Sequence, residues 1–218
     1  MRKISLILVV FLAAAVFALV SEANAFVWVE WQHGDAGSLL DTAQVITGSG
    51  EVEAIQGRIR NYPGVDMYRL WLTGGETFSA TVTSADFDTQ LFLFDEEGFG
   101  IYANDNLAKG NLLSALPSGD MSPEEAGTYY LAISRYDRNP RNADGKIFKN
   151  LPRYTVHYAD GPGADSPLAS WSRDDDHYGS GGYYISLSGA RGVIPEPATL
   201  SLLGLGLLGM LGLRKKKS

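Results

Sequence analysis

The sequence predicts an all-β fold, an antiparallel β-sandwich, on three observations. Between residues 51 and 188 the chain breaks into seven or eight short runs of strand character, separated by turns rich in Gly, Asn and Asp. Several runs alternate apolar and polar residues with a period of two, the pattern of a strand with one face on a core. The same region offers no ten-residue stretch with a good helical period, which leaves packing of sheet on sheet as the way to bury those faces.

The elements follow in chain order. Phe26, Trp28 and Trp31 form an aromatic cluster ahead of Gly34-Asp35-Ala36-Gly37, and Ser38 is placed to cap a short helical turn over residues 38–43. Residues 51–59 read as a first strand. Residues 65–72 read as a second, with Tyr68, Leu70 and Leu72 on one face and Met67, Arg69 and Trp71 on the other. After the turn Thr73-Gly74-Gly75-Glu76, residues 77–83 point Phe78, Ala80 and Val82 inward and the threonines outward. Residues 90–94 are apolar on both faces, so this strand is expected to be central and covered on both sides. Asp95-Glu96-Glu97-Gly98 turns the chain into a return strand at 99–103, and Asn104-Asp105-Asn106 opens a polar loop. Residues 110–125 have no clear period and contain Pro117 and Pro123, whereas 127–134 resume strand character. Strands at 153–158 and 182–188 are separated by long Gly-, Ser- and Asp-rich segments, which in a compact domain are usually functional or mobile.

Both ends of the chain read as export signals. Arg2 and Lys3 precede an apolar run from Ile4 to Val20, and Ala23-Asn24-Ala25 supplies the small residues of a signal-peptide cleavage site, with cleavage expected after Ala25 by the Sec export machinery. At the other end Pro195-Glu196-Pro197 is followed by uncharged residues 198–213 and then Arg214-Lys215-Lys216-Lys217. Sixteen helical residues reach roughly 24 Å, short of a roughly 30 Å hydrocarbon core, and four glycines weaken the helix further. The basic residues are expected to stay cytoplasmic. Tripeptide, apolar run and basic stop, in that order, resemble the sorting signal of bacterial PEP-CTERM proteins. That resemblance implies processing near Pro195, Glu196 and Pro197 by a membrane-embedded exosortase in a Gram-negative-type bacterium that makes exopolysaccharide. The implied route runs transiently through the inner membrane to the cell envelope, surface or extracellular matrix.

The middle of the chain resembles the bacterial pre-peptidase C-terminal domain group. The residues that carry the resemblance are Gly64 to Leu70, Gly74 to Ala80, Phe87 to Asp95, Ala103-Asn104-Asp105 and Gly127 to Ile133. The group implies a jelly-roll β-sandwich that binds and does not catalyse, flanked here by the N-terminal signal helix and the C-terminal apolar helix. The expected organisation is a signal peptide at 1–25, a segment at 26–50 packing on the domain and a β-sandwich domain at 51–190. A linker at 191–197, a transmembrane or sorting segment at 198–213 and a basic tail at 214–218 complete it.

Charge and composition narrow the function. The chain carries −7 overall, but residues 26–194 hold 12 of the 18 basic and 23 of the 25 acidic residues, a net −11. A nucleic-acid footprint is therefore missing. Cysteine is absent, which excludes disulfides, thiolate zinc sites and cysteine nucleophiles.

Asp86, Asp88, Asp95 and Asp105 stand at strand ends, where hard carboxylate oxygens suit either a Ca²⁺ site or the capping of turns. Trp31, Trp71, Trp171 and the pairs Tyr129-Tyr130 and Tyr183-Tyr184 offer aromatic faces for sugar. Adjacent strand residues point to opposite sides, so one of each tyrosine pair is expected in the core, and Trp171, in a long loop, is the candidate ligand-binding residue. The expected function is a non-catalytic exported surface or matrix protein, structural or binding carbohydrate or protein in exopolysaccharide or biofilm. The alternative is a secreted glycan-active hydrolase using an acid pair such as Asp88 and Asp105.

Overall fold

A computed structural model describes residues 24–60, 64–149, 154–172 and 181–193. The signal helix, the C-terminal apolar helix, Ala23 and the Pro195-Glu196-Pro197 motif lie outside the described residues, as does the run Asp174-Asp175-Asp176-His177, whose sequence reads as a solvated loop sooner than a metal site. Among the described residues no helix is long and apolar enough to cross a membrane.

The strands are β1 (Phe26–Val29), β2 (Gln44–Val45), β3 (Val52–Ile59), β4 (Val65–Leu72), β5 (Ser79–Ala85), β6 (Thr89–Phe94), β7 (Gly100–Asn104) and β8 (Ala115–Leu116). They continue as β9 (Gly127–Arg135), β10 (Pro140–Asn142), β11 (Gly145–Lys146), β12 (His157–Tyr158), β13 (Ser170–Trp171), β14 (Gly181–Ser188) and β15 (Ala190–Arg191). A 3-10 turn at Glu30–Gln32 is the helical element among the described residues. The first sheet has the order β1-β3-β14-β5-β8 and the second the order β12-β7-β6-β9-β4-β15, with β2 also paired to β4. Ile55, Val82 and Ile185 from the first sheet and Tyr68, Leu70, Leu91, Leu93, Leu131 and Ile133 from the second meet in one buried cluster. The chain is thus a β-sandwich.

The alternation in β4 is realised as expected: Tyr68, Leu70 and Leu72 enter the core between the sheets, while Met67 packs on the outer face of the second sheet. The both-sided apolar run is also where it was placed. Strand β6 lies between β7 and β9 and is buried along its whole length. Its outer side chains, Phe92 and Phe94, meet Ile147, Phe148 and Leu168 in a second cluster. The polar segments after β9, expected as functional or mobile loops, form this layer together with Leu39, Leu40 and Trp171. A small sheet of order β11-β10-β13 holds it in shape.

Several local expectations are corrected. Residues 38–43 turn without forming a helix, and Ser38 does not cap them. Instead the Thr42 hydroxyl accepts the backbone N–H groups of Ser38 (3.2 Å) and Leu39 (3.0 Å). The strand expected at 77–83 is displaced to β5 because the turn holds residues 74–77: Thr77 donates to the Gly74 carbonyl at 2.8 Å and Glu76 sits at φ 58°. The strand expected at 153–158 survives, among its described residues, as β12. Strand β1, not recognised in the sequence, runs parallel to β3 and buries Trp28, whose indole N–H donates to Gln44 Oε1 at 2.6 Å.

Candidate functional site

The described surface is indented at one end of the first sheet. Strands β3, β14 and β5 carry their exposed side chains there, and the 3-10 turn after β1 closes one side. The result is an open groove of about 810 Å³ lined by residues that include Trp31, Gln56, Arg58, Thr83, Asp86 and Tyr184. Its existence follows from strand alternation. In β3, Ile55 and Ile59 point inward while Gln56 and Arg58 are exposed, and in β14 Tyr183 is buried while Tyr184 is half-exposed. The expected division of the tyrosine pair is therefore realised. Trp31 is 56 % exposed, the most open large apolar side chain among the described residues. It lies beyond β1, and Tyr184 is on β14, two strands away in the order β1-β3-β14. Strands β1 and β14 themselves lie about 10 Å apart, on either side of β3.

Behind the groove, on the inner face of the first sheet, lies a buried polar cluster. The Tyr183 hydroxyl donates to Asp66 Oδ2 at 2.7 Å and receives a hydrogen bond from the Tyr68 hydroxyl. Gly57 permits this contact, since a Cβ there would collide with Tyr183 and lie 2.8 Å from the Tyr68 oxygen. Burial pushes the Asp66 carboxyl up to about 7, against the bond from Tyr183 and with the help of the carboxylates of Glu30 and Asp35. Burial also raises Glu30, although its Oε2 accepts the Arg58 backbone N–H at 3.0 Å. Both phenols are raised well above their ordinary value, chiefly by burial, and remain protonated donors. At the rim Arg60 pairs with Asp35 at 3.1 Å.

The sequence-predicted residues fall in different places. Asp86 lines the groove and accepts the Gly182 N–H on Oδ2 at 2.9 Å, a structural bond between β5 and β14. Asp95 caps the turn after β6 by accepting the Phe99 N–H at 2.8 Å. Asp88 precedes β6 and Asp105 follows β7, its antiparallel neighbour, so these two share one end of the second sheet. Asp88 and Asp95 flank β6 at opposite ends, about 23 Å of extended chain apart, and so cannot share an ion. Among the described residues no group of three or more His, Asp or Glu side chains is placed to hold a metal. The four aspartates do not form the single calcium site envisaged for them, and neither Asp88 nor Asp105 lines the groove.

Trp171 sits in the packed loop layer. Its indole N–H donates to the Ser38 carbonyl at 2.6 Å, and its ring stands edge-on to Phe92 and Phe94 at centroid distances of 5.5 and 6.4 Å. The contacts are those of a packing side chain and not of a stacking platform. Trp171→Ala is expected to lower the unfolding free energy by about 2 kcal/mol, measured by urea titration. His33 stacks on Trp28 at 3.8 Å and His157 packs against Phe148. Burial lowers the His157 imidazole.

Sequence reasoning missed Glu30, Gln56, Arg58 and Asp66. For Asp66 a signal was present: a carboxylate between Val65 and Met67 in a strand apolar on both faces is out of place unless its environment serves it.

No curated protein matches the chain. Two family descriptions do, and the groove is built mostly from residues outside both, since Trp31, Gln56, Arg58 and Tyr184 precede or follow the matched segments. Residues 64–135, which span β4 to β9, match the family model of the bacterial pre-peptidase C-terminal domain, and residues 193–217 match that of the PEP-CTERM protein-sorting motif.

Proposed function

We propose that this protein is a non-catalytic surface or matrix module that holds an exopolysaccharide strand in the groove lined by Trp31 and Tyr184. The sorting motif implies export to the cell envelope or surface and processing by exosortase, and the pre-peptidase C-terminal domain is consistent with a non-catalytic role. Before processing, residues 198–213 insert into the inner membrane with the basic tail on the cytoplasmic side.

The observation that carries the binding reading is the pairing of Trp31 with Tyr184 across a polar floor. Sugar rings present apolar C–H faces and a rim of hydroxyls. Aromatic rings receive the faces, while Gln56, Arg58, Thr83, Ser84 and Asp86 supply donors and acceptors for the rim. An open groove admits a chain at any point along its length, as a polymer requires. With a net charge of −11 over residues 26–194, the sandwich favours a neutral strand over an anionic one.

Binding of the exported sandwich to the producing strain's own polysaccharide tests this reading. Trp31→Ala removes an exposed side chain at little cost to the fold and is expected to weaken binding about tenfold. Binding by the Trp31→Ala variant at wild-type strength would sink the assignment of the groove.

A further inference from the structure

Both routes into the membrane leave the sandwich from one end. At the start of β1 the Phe26 N–H donates to the Glu51 carbonyl at 2.9 Å. Glu51 is bridged to Arg191, with the side chains 3.8 Å apart. Val193 pairs with Thr47, and its N–H donates to the Ile46 carbonyl at 2.7 Å. Gly192 lies so close to the chain at Gly48 that a Cβ would come 2.6 Å from the Gly48 backbone. The fold therefore grips the chain up to Val193, the first residue of the sorting motif.

The groove is at the other end. From Glu51 to Arg58 strand β3 runs about 23 Å away from the chain junctions. The same sense holds in β14, where Gly181 pairs with Ile59 at the groove end and Ser186 with Ala54 toward the other.

We propose that in the membrane-bound precursor the end of the sandwich bearing Phe26, Thr47, Glu51 and Val193 rests against the lipid surface, and the groove is displayed away from it. This rests on the reading that residues 198–213 enter the membrane. The chain outside the fold is short: from Val193 to Ala198 it spans at most about 17 Å, and from Val20 to Phe26 about 20 Å. Neither connection reaches around the sandwich to the groove end. Trp71 and Val45 remain exposed near the junctions, and a tryptophan beside headgroups is a favourable interfacial contact. The exposed carboxylates of Glu76, Glu124 and Glu125, in the adjoining loops, hold the contact at headgroup depth, since they are costly to carry into hydrocarbon.

The absence of cysteine makes a direct test possible. Glu51→Cys and Ser84→Cys full-length chains, each labelled with bimane, are reconstituted into phosphatidylethanolamine vesicles containing a minority of phosphatidylglycerol. Nitroxide on the headgroup is expected to quench the label at position 51 several-fold more than that at 84, and nitroxide deep in the acyl chain is expected to quench neither. Equal quenching, or stronger quenching at 84, overturns the orientation. Failure of both chains to float with the vesicles overturns the membrane reading on which the orientation rests.

Discussion

Replacing Gly57 by alanine is expected to destabilise the sandwich by about 3 kcal/mol, seen as a fall in the unfolding free energy and a drop of roughly 10 °C in the melting midpoint. The added methyl meets the ring and hydroxyl of Tyr183 and the hydroxyl of Tyr68. Neither ring can retreat: both tyrosines are buried between the sheets, and both hydroxyls are committed to the chain of hydrogen bonds that ends on Asp66. Displacing Tyr183 also strips the buried carboxyl of its donor, so the cost of overpacking adds to that of an unsatisfied polar group. Gly127→Ala is the matched control. That glycine is also in a strand, but a Cβ there meets Tyr129 at an ordinary 3.6 Å, and the expected change is within about 0.5 kcal/mol. Equal effects at the two positions would show that Gly57 is tolerated for its backbone alone and that the tyrosine contact is slack.

How far the fold was legible depends on what carried the signal. Strand β4 and the both-sided burial of β6 were readable because period and apolar content report directly on which face meets a core. Strands β1, β2 and β15 were not, since their pairing is set by partners far away in sequence and they are short; β1 reads simply as aromatic. The loop layer on the second sheet was misread for a related reason. Asn and Gly between residues 136 and 163 look like solvent loops, yet Asn142 uses its amide to bind the carbonyls of Gly163 and Ser166 and closes the segment on itself.

The site was legible in fragments. Tyr184 and Trp31 were recognised as aromatic candidates, but the groove that joins them depends on sheet order, which brings residues 31, 58 and 184 together. Trp171 looked open because its neighbours are polar, and the structure instead turns it onto Phe92 and Phe94. The acidic residues at strand ends were correctly located as turn residues at Asp95, whereas the carboxyl with the most altered chemistry, Asp66, is inside a strand.

That chemistry predicts an unusual pH dependence. A carboxyl raised from 3.8 to about 7 on folding binds its proton more tightly in the folded state than in the unfolded one. Its favourable contribution is complete below about pH 4 and is lost as pH rises toward 7, amounting to roughly 4 kcal/mol across that interval. This is opposite to a salt-bridged carboxylate, which loses stability as pH falls. The groups facing Asp66 act in the stated senses: Glu30 and Asp35 favour its protonated form, whereas the hydrogen bond from Tyr183 and the charge of Arg60 favour ionisation. Glu30, also raised, contributes in the same direction as Asp66. Asp66→Asn keeps an acceptor for the Tyr183 hydroxyl and removes the ionisation. Its unfolding free energy, measured by urea titration from pH 4 to 8, is expected to gain steadily on the wild type and to exceed it at pH 8. Parallel curves for the two proteins would mean that Asp66 is ionised in the fold throughout, and that the hydrogen bond from Tyr183 outweighs its burial.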